Sequence, residues 1–280
     1  MLEVRDSVII PGDCREVLAE LPPDFFQACI TSPPYWSLRD YGVDAQIGAE
    51  DKLEDYIRSM VEVCAEVKRV LKPGGTFWFN VGDTYTSGGR TWRAPDKKLP
   101  QRAMAYRPDT PKGLKPKDLV GVPWRLAFAL QEDGWYLRSE VIWEKPNANP
   151  ESVEDRPVRC HEHIFLLTRE PKYYYDREAT RERDNGGTRY KRTVWSVKTL
   201  PLKEAHFATF PPALVQPGIL AGSRPGDFIL DPFLGAGTVG LVAQRLGRKY
   251  VGIEISPEYV KIAEKRIALN GSAPFDEVLT

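Results

Sequence analysis

The stretch from Phe228 to Glu254 constrains the fold more than any other part of the chain. Phe228-Ile-Leu230 is a short apolar run that reads as a buried strand. Asp231-Pro-Phe-Leu-Gly-Ala-Gly237 follows, and Gly235 to Leu246 reads as a glycine turn opening a helix. Lys249 to Ile253 is a second strand, and Glu254 stands at its end. Strand, helix and strand in succession imply a parallel pair joined by a crossover, and parallel sheets are covered by helices on both faces.

The rest of the chain keeps the same alternation. Ser7 to Ile10 is a strand that ends in Pro11-Gly12-Asp13, and Phe25 to Ile30 is one that ends in Thr31-Ser32-Pro33-Pro34. Leu53, Ile57, Met60, Val61, Cys64, Val67 and Leu71 recur at helical spacing, and Pro73-Gly74-Gly75 stops that helix before a strand from Thr76 to Val81. Leu119 to Leu130 is read as a helix closed by Asp133-Gly134. Strands from Tyr136 to Trp143 and His163 to Thr168 flank a loop. Pro211 to Ala221 is helical in pattern, with Pro217 expected to break or kink it. Pro257 to Leu269 is the last helix, with Ser256 as its N-cap. The expectation is one α/β domain over residues 1–280 with a mostly parallel sheet. Ligands in such sheets bind beyond the carboxyl ends of the strands, where the turns at Ser32 and Asp231 both fall.

Composition removes several classes of function. A chain with 42% hydrophobic and 28% charged residues is of the ordinary globular type. No apolar run approaches the roughly eighteen residues of a membrane span, and the first residues lack the pattern of a signal peptide. Cys14, Cys29, Cys64 and Cys160 form no CxxC pair and read as reduced thiols, so the expected location is cytoplasmic. The net charge of zero is uneven: residues 84–117 hold nine Lys or Arg against two Asp, and residues 177–200 hold seven against three acids. Both stretches read as irregular. Two basic segments on an otherwise acidic chain fit a polyanion on one face, although solvated basic loops fit them as well.

Glycines at 235 and 237 allow close backbone approach to a ligand, and an acid about twenty residues on, at Glu254, suits the two hydroxyls of a ribose. The turn lacks a full GxGxxG and no P-loop Lys follows, so a nucleoside is expected rather than a pyrophosphate. A tight strand-helix turn with a surface Glu is the bland alternative. In Thr31-Ser32-Pro33-Pro34-Tyr35-Trp36 the two prolines stiffen the backbone. Rigid carbonyls and the Ser32 hydroxyl can accept hydrogen bonds from an amino group, while Tyr35 and Trp36 offer an aromatic face to a flat base. An exocyclic base amine is a weak nucleophile, and acceptors for its N–H groups favour lone-pair character as a methyl group arrives. Those residues alone read equally well as a Pro-Pro turn with core aromatics.

Together, the Ser-Pro-Pro-Tyr and Asp-Pro-Phe-Leu-Gly-Ala-Gly-Thr motifs resemble those of the S-adenosylmethionine-dependent DNA amino-methyltransferases. Their order, catalytic motif first, resembles the beta group of that family, and the likeness covers nearly the whole chain. Arg156, His161-Glu162-His163-Ile164-Phe165 and Phe207 to Leu214 are similar to that group as well. The resemblance implies a Rossmann-like methyltransferase fold with circularly rearranged motifs and an antiparallel hairpin at one end of the sheet. It implies that Asp231, Pro232, Phe233, Gly235, Gly237 and Thr238 surround the methionine end of S-adenosylmethionine. Glu254 would take its ribose, Asp13 would approach its adenine amine, and Thr209 and Phe210 would complete the pocket. Ser32, Pro33, Pro34 and Tyr35 would hold the target base. The chain departs from the common pattern at Ala236, Phe207 and Phe210.

Within the group, Ser in the catalytic motif accompanies cytosine-N4 methylation and Asp or Asn accompanies adenine-N6. Ser32 therefore points to cytosine, with adenine-N6 as the alternative. An RNA or protein amine methyltransferase, usually of opposite motif order, and a DNA-binding module with a relic pocket are further alternatives. The expected partner is double-stranded DNA with the target nucleotide flipped out, framed by residues 84–117 and 177–202. A second copy of the chain and a cognate restriction endonuclease are candidate partners, and no membrane is expected. Cys160-His161-Glu162-His163 lacks a second ligand cluster, so no metal is expected. Trp124, Trp135 and Trp143 are expected in the core, and Tyr173 to Tyr175 either stack on DNA or pack a strand end.

Overall fold

A computed structural model describes residues 2–43, 46–87, 107–148, 150–184, 186–200 and 211–271. The elements are β1 (Val8–Pro11), α1 (Cys14–Glu20), β2 (Phe26–Thr31), α2 (Leu53–Val70), β3 (Leu71–Val81), α3 (Val122–Glu132), β4 (Tyr136–Glu144) and β5 (His161–Thr168). There follow β6 (Glu182–Asp184), β7 (Gly187–Arg189), β8 (Val194–Ser196), α4 (Pro212–Gly222), β9 (Phe228–Asp231), α5 (Thr238–Arg245), β10 (Lys249–Glu254) and α6 (Pro257–Asn270).

Eight strands form one sheet in the order β1-β10-β9-β2-β3-β5-β4-β8. The first five are parallel; β5 runs antiparallel to both β3 and β4, and β8 adds to β4 in parallel. The β4–β5 pair is the expected antiparallel hairpin. Because β5 is reversed, its first residues lie beside the carboxyl ends of β3 and β4. One edge of the sheet thus collects the ends of β1, β10, β9, β2, β3 and β4 and the start of β5.

Alternation along the strands feeds two separate cores. Cys29, Phe77, Phe79, Phe165, Leu167, Leu230, Val251 and Ile253 face one side, packed with Leu18, Met60, Val63, Val67, Leu126 and Leu130 from α1, α2 and α3. Ala28, Ile30, Trp78, Ile164, Leu166, Ile229 and Tyr250 face the other, packed with Leu214, Ile219, Leu241, Val242 and Ile267 from α4, α5 and α6. Each fully buried aliphatic side chain stabilises the fold by about 1.5–3 kcal/mol, so both layers hold the strand ends in place.

Several boundaries differ from the sequence reading. The helix expected from Leu119 starts at Val122, where Gly121 is left-handed and Pro123 supplies the first turn, and Leu119 is exposed. β3 begins at Leu71, so α2 ends before Pro73-Gly74-Gly75; Lys72 precedes a proline and is thereby biased to extended backbone. The glycines instead form an irregularity in the β2–β3 register. Pro217 does not break α4, which continues to Gly222 around it. Burial of Leu214, Val215, Ile219 and Ala221 offsets the missing N–H. The second basic segment is not wholly irregular: it holds the β6–β7 hairpin and the edge strand β8. Trp135 and Trp143 are buried, but Trp124 is 37% exposed on α3, against Phe128 and Phe165. Among the described residues, no helix is long and apolar enough to cross a membrane.

Candidate active site

The collected strand ends enclose a cleft of about 480 Å³. Pro232, Phe233, Gly235 and Thr238 line it from the β9–α5 turn, Glu254 from the end of β10 and Asp13 from the end of β1. Gly235 has φ +53°, and a Cβ there would come no closer than 3.9 Å to other atoms, so this backbone lies open to the cleft. Glu254 accepts from Gly235 N–H through Oε2 (2.8 Å) and from Ser256 N–H through Oε1 (2.8 Å). Burial raises its carboxyl from the ordinary value, and these backbone donors partly oppose the rise. Asp13 caps α1 by accepting from Arg15 N–H (2.9 Å), and it pairs with the Arg15 guanidinium, which lowers its pKa.

Two residues of the motif stand behind this wall rather than on it. Gly237 is left-handed at φ +82° as it caps α5, and a Cβ there would lie 2.9 Å from that of Ala263. Asp231 is 1% exposed. Its Oδ1 accepts from Thr31 Oγ1 (2.6 Å) and from Phe233 N–H (3.1 Å), joining the end of β2 to the end of β9. Asp231 Oδ2 is buried without a hydrogen-bond partner among the described residues, and burial raises this carboxyl to about 7. Thr209 and Phe210 lie outside the described residues.

The facing wall carries Ser32, Pro33, Pro34 and Tyr35, with Asn80 from β3, Glu162 from β5 and Lys145 just past β4. The Tyr35 hydroxyl donates to Glu162 Oε2 (2.7 Å) and lies 3.2 Å from Ser32 Oγ. Asn80 is 3% exposed, and its Nδ2 reaches Ser32 Oγ (3.2 Å), Tyr35 Oη (2.9 Å) and Glu162 Oε2 (3.0 Å). Lys145 pairs with Glu162 Oε1 and sits over the Trp143 ring. Burial pushes the Glu162 carboxyl up, but the Lys145 charge and the three donors outweigh it and hold the group below its usual range. Burial, reinforced by Glu162, raises the Tyr35 phenol.

The aromatic face expected of Tyr35 and Trp36 is not formed by both. Trp36 is 4% exposed and donates its indole N–H to the Glu50 carbonyl (2.8 Å), so it belongs to the core. The Tyr35 ring packs on Gly82, where a Cβ would lie 2.5 Å from Tyr35 Cε2. The Pro34 carbonyl already accepts from Tyr56 Oη of α2 (2.9 Å), which leaves Ser32 and the Pro33 carbonyl as the motif's acceptors.

At the mouth, Arg159 and Thr84 line the cleft, and the Arg156 guanidinium lies 3.9 Å from the Tyr85 ring centroid, with Arg159 at 5.8 Å. Of the first basic segment, residues 88–106 lie outside the described part. In the second, Arg181 pairs with Glu178, Arg189 with Glu182 and Asp184, and Lys191 with Glu182, so much of its charge is neutralised internally. Tyr173 packs against the second core, and Tyr174 lies under Arg224. His163 bonds Glu140 (2.6 Å) and stacks on Phe165.

Residues 26–265 match the N6/N4 methyltransferase family model, whose description is DNA methylase. The chain belongs to this DNA methylase family. The methylase is 60% identical over 267 residues to the type II methyltransferase M.Cfr9I of Citrobacter freundii, covering 95% of this chain and 89% of that protein. It is 56% identical over 267 residues to M.SmaI of Serratia marcescens, covering 94% and 91%. Its fold is similar to that of the PvuII DNA methyltransferase (cytosine-N4-specific), with a TM-score of 0.71 at 20% identity over 94% of this chain and 86% of that one. It is also similar to the M1.HpyAVI complex with S-adenosylmethionine, with a TM-score of 0.59 at 20% identity over 92% and 98%. The mostly parallel α/β methyltransferase fold expected from the sequence is therefore the fold of this methylase.

The sequence reading did not single out Asn80, Lys145 or Tyr56, gave Thr31 no role of its own, and named Glu162 only within the His161 to Phe165 run and the discounted metal cluster. Asn80 carried one usable signal: it is a polar residue near the carboxyl end of an apolar strand, on the edge where such sheets bind ligands.

Proposed function

We propose that this DNA methylase transfers a methyl group from S-adenosylmethionine to the exocyclic N4 amine of cytosine in duplex DNA. The observation that carries the reading is the Ser32 hydroxyl. It lines the same cleft as the glycine turn and Glu254, held by Asn80 and Tyr35 where an amine can meet it. The choice of cytosine rests on Ser32 standing first in the catalytic motif. The likeness to the cytosine-N4-specific methyltransferase supports the fold.

The residues present fit the methyl donor. Open backbone at Gly235 and the paired oxygens of Glu254 suit a nucleoside, while Phe233, Leu234, Ile255 and Tyr259 supply apolar lining. When bound, S-adenosylmethionine supplies a methyl carbon on a sulfonium. Pro232, Phe233, Gly235 and Thr238 hold its methionine side, Glu254 its ribose and Asp13 its adenine side. Asp231 and Gly237 act by shaping the turn. Thr209 and Phe210 are assigned to the same pocket. Ser32 and the Pro33 carbonyl orient the target amine in plane, and Tyr35 fixes Ser32.

The target base must leave the helix to reach this cleft. Arg159 at its mouth would meet the DNA backbone, Arg156 being paired with Glu151, and residues 84–117 and 177–202 would frame the duplex. The whole chain acts as one catalytic domain. A cognate restriction endonuclease acting on the same site and a second copy of the chain are candidate partners.

Ser32→Ala tests the reading. Transfer of labelled methyl to duplex DNA should fall by about a hundredfold or more, while affinity for S-adenosylmethionine is unchanged. Full turnover by Ser32→Ala would overturn the assignment.

A further inference from the structure

Behind Ser32, side chains from four separate chain segments meet, and their protons can be counted. Glu162 Oε2 faces the Tyr35 hydroxyl at 2.7 Å, and an ionised carboxylate only accepts, so Tyr35 places its one proton there. Asn80 Nδ2 lies 3.0 Å from the same oxygen, which orients the amide with its NH2 toward the carboxylate. The Tyr35 oxygen, its proton spent, can then only accept, from Asn80 Nδ2 at 2.9 Å and from Ser32 at 3.2 Å, so along the Ser32–Tyr35 contact the Ser32 hydroxyl donates inward. Asn80 Nδ2 has one further N–H, which Tyr35 Oη (2.9 Å) and Ser32 Oγ (3.2 Å) share. That leaves at least one Ser32 lone pair for the cleft that Ser32 lines.

We propose that Glu162, acting through Tyr35, fixes Ser32 as an acceptor for the target amine, and that this same chain carries the departing amine proton to Glu162. The inference rests on the reading that the amine sits at Ser32, and it holds for either base. The amine nitrogen bonds the methyl carbon of the sulfonium donor, and the broken carbon–sulfur bond leaves its electron pair on sulfur as a neutral thioether. The nitrogen keeps the electron pair of its N–H bond. Its proton passes to Ser32 Oγ as the Ser32 proton moves to Tyr35 Oη and the Tyr35 proton to Glu162 Oε2. Glu162 lines the cleft and returns the proton to water there. The charges cancel, since one sulfonium and one carboxylate both become neutral.

Glu162 meets Lys145 from beyond β4, Tyr35 from the loop after β2 and Asn80 from β3, with the His161 imidazole, whose pKa burial lowers, beside it on β5. Lys145 is the cation that pairs with it. Glu162 and Lys145 are positioning residues for Ser32 in the ground state, and Glu162 is also the proton acceptor.

The test is single-turnover methyl transfer to duplex DNA from about pH 5 to about pH 9. Wild-type, Ser32→Ala, Glu162→Gln, Tyr35→Phe and Lys145→Met proteins are compared, with equilibrium affinities for DNA and S-adenosylmethionine and thermal melts measured alongside. Glu162→Gln and Tyr35→Phe should each slow transfer about a hundredfold with both affinities within about threefold of wild type. Lys145→Met should move the acid limb to higher pH, because without the cation burial raises the Glu162 carboxyl and protonation stops the relay earlier. If Glu162→Gln melts early, Tyr35→Phe, which removes only a hydroxyl, decides the matter. Slow Ser32→Ala with Glu162→Gln or Tyr35→Phe within about threefold of wild type, or an unmoved acid limb in Lys145→Met, overturns the relay alone. Full-rate Ser32→Ala overturns the placement of the amine.

Discussion

The wall around Glu254 and the wall around Ser32 face each other across one cleft, yet they are built differently. The Glu254 wall comes mainly from one stretch of chain, with Asp13 added from the end of β1, and its main hydrogen bond, Gly235 N–H to Glu254, spans 19 residues. Its donors are backbone amides and its shape comes from glycine conformations. The Ser32 wall is a side-chain network whose bonds span 48, 82 and 127 residues and need β2, β3 and β5 in register. The first is fixed by local chain geometry, and the second exists only when the sheet is assembled. Asp231 joins them, through Thr31 on one side and the glycine turn on the other.

If the walls divide the work as proposed, variants should separate binding from transfer. The largest expected effect on donor binding is that of Glu254→Ala. Hydrogen bonds to a charged group contribute about 1.5–3 kcal/mol each, so the Kd for S-adenosylmethionine should rise by about ten- to a hundredfold. Transfer at saturating donor should stay within about threefold, by calorimetry and single-turnover kinetics respectively. Gly82→Ala should do the reverse on a smaller scale. Its new methyl group would displace the Tyr35 ring, and transfer should slow about tenfold with donor affinity unchanged.

The joint between the walls gives the most pH-dependent effect. Burial raises Asp231 from 3.8 to about 7, so the folded protein favours the protonated acid. That stabilisation is fully present below the ordinary carboxylate value and is lost as pH rises through about 7. Between those limits the ligand-free protein should lose up to about 1.4 kcal/mol of stability per pH unit from this group. Asp231→Asn should flatten that slope, as read from denaturant melts at several pH values. Equal slopes in the two proteins would remove Asp231 from the account.

The same contrast governs what was legible in the sequence. The strand–glycine–helix–strand unit ending at Glu254 could be read because its determinants are adjacent: an apolar run, two glycines and an acid at the right interval. The Ser32 motif could be read because two prolines and an aromatic stand together. Asn80 and Lys145 could not, because nothing near them in sequence marks their meeting with Tyr35; only the reversed direction of β5 places Glu162 beside the end of β3. Trp36 was misplaced for a related reason. Adjacent residues on a turn can point to opposite sides, and its indole N–H found Glu50 in the core. Asp231 was read as a cofactor contact because the motif is linear, whereas the fold turns its carboxylate toward Thr31.

The account stands or falls on where the methyl group lands. Duplex DNA incubated with the protein and labelled S-adenosylmethionine, digested to nucleosides and resolved by mass spectrometry, gives that directly. The account predicts that the label appears in N4-methylcytosine and that Ser32→Ala lowers the rate of labelling by about a hundredfold or more. Label in N6-methyladenine would contradict the assignment of cytosine to Ser32, and label absent from DNA but present in RNA or protein would contradict the proposed function as a whole.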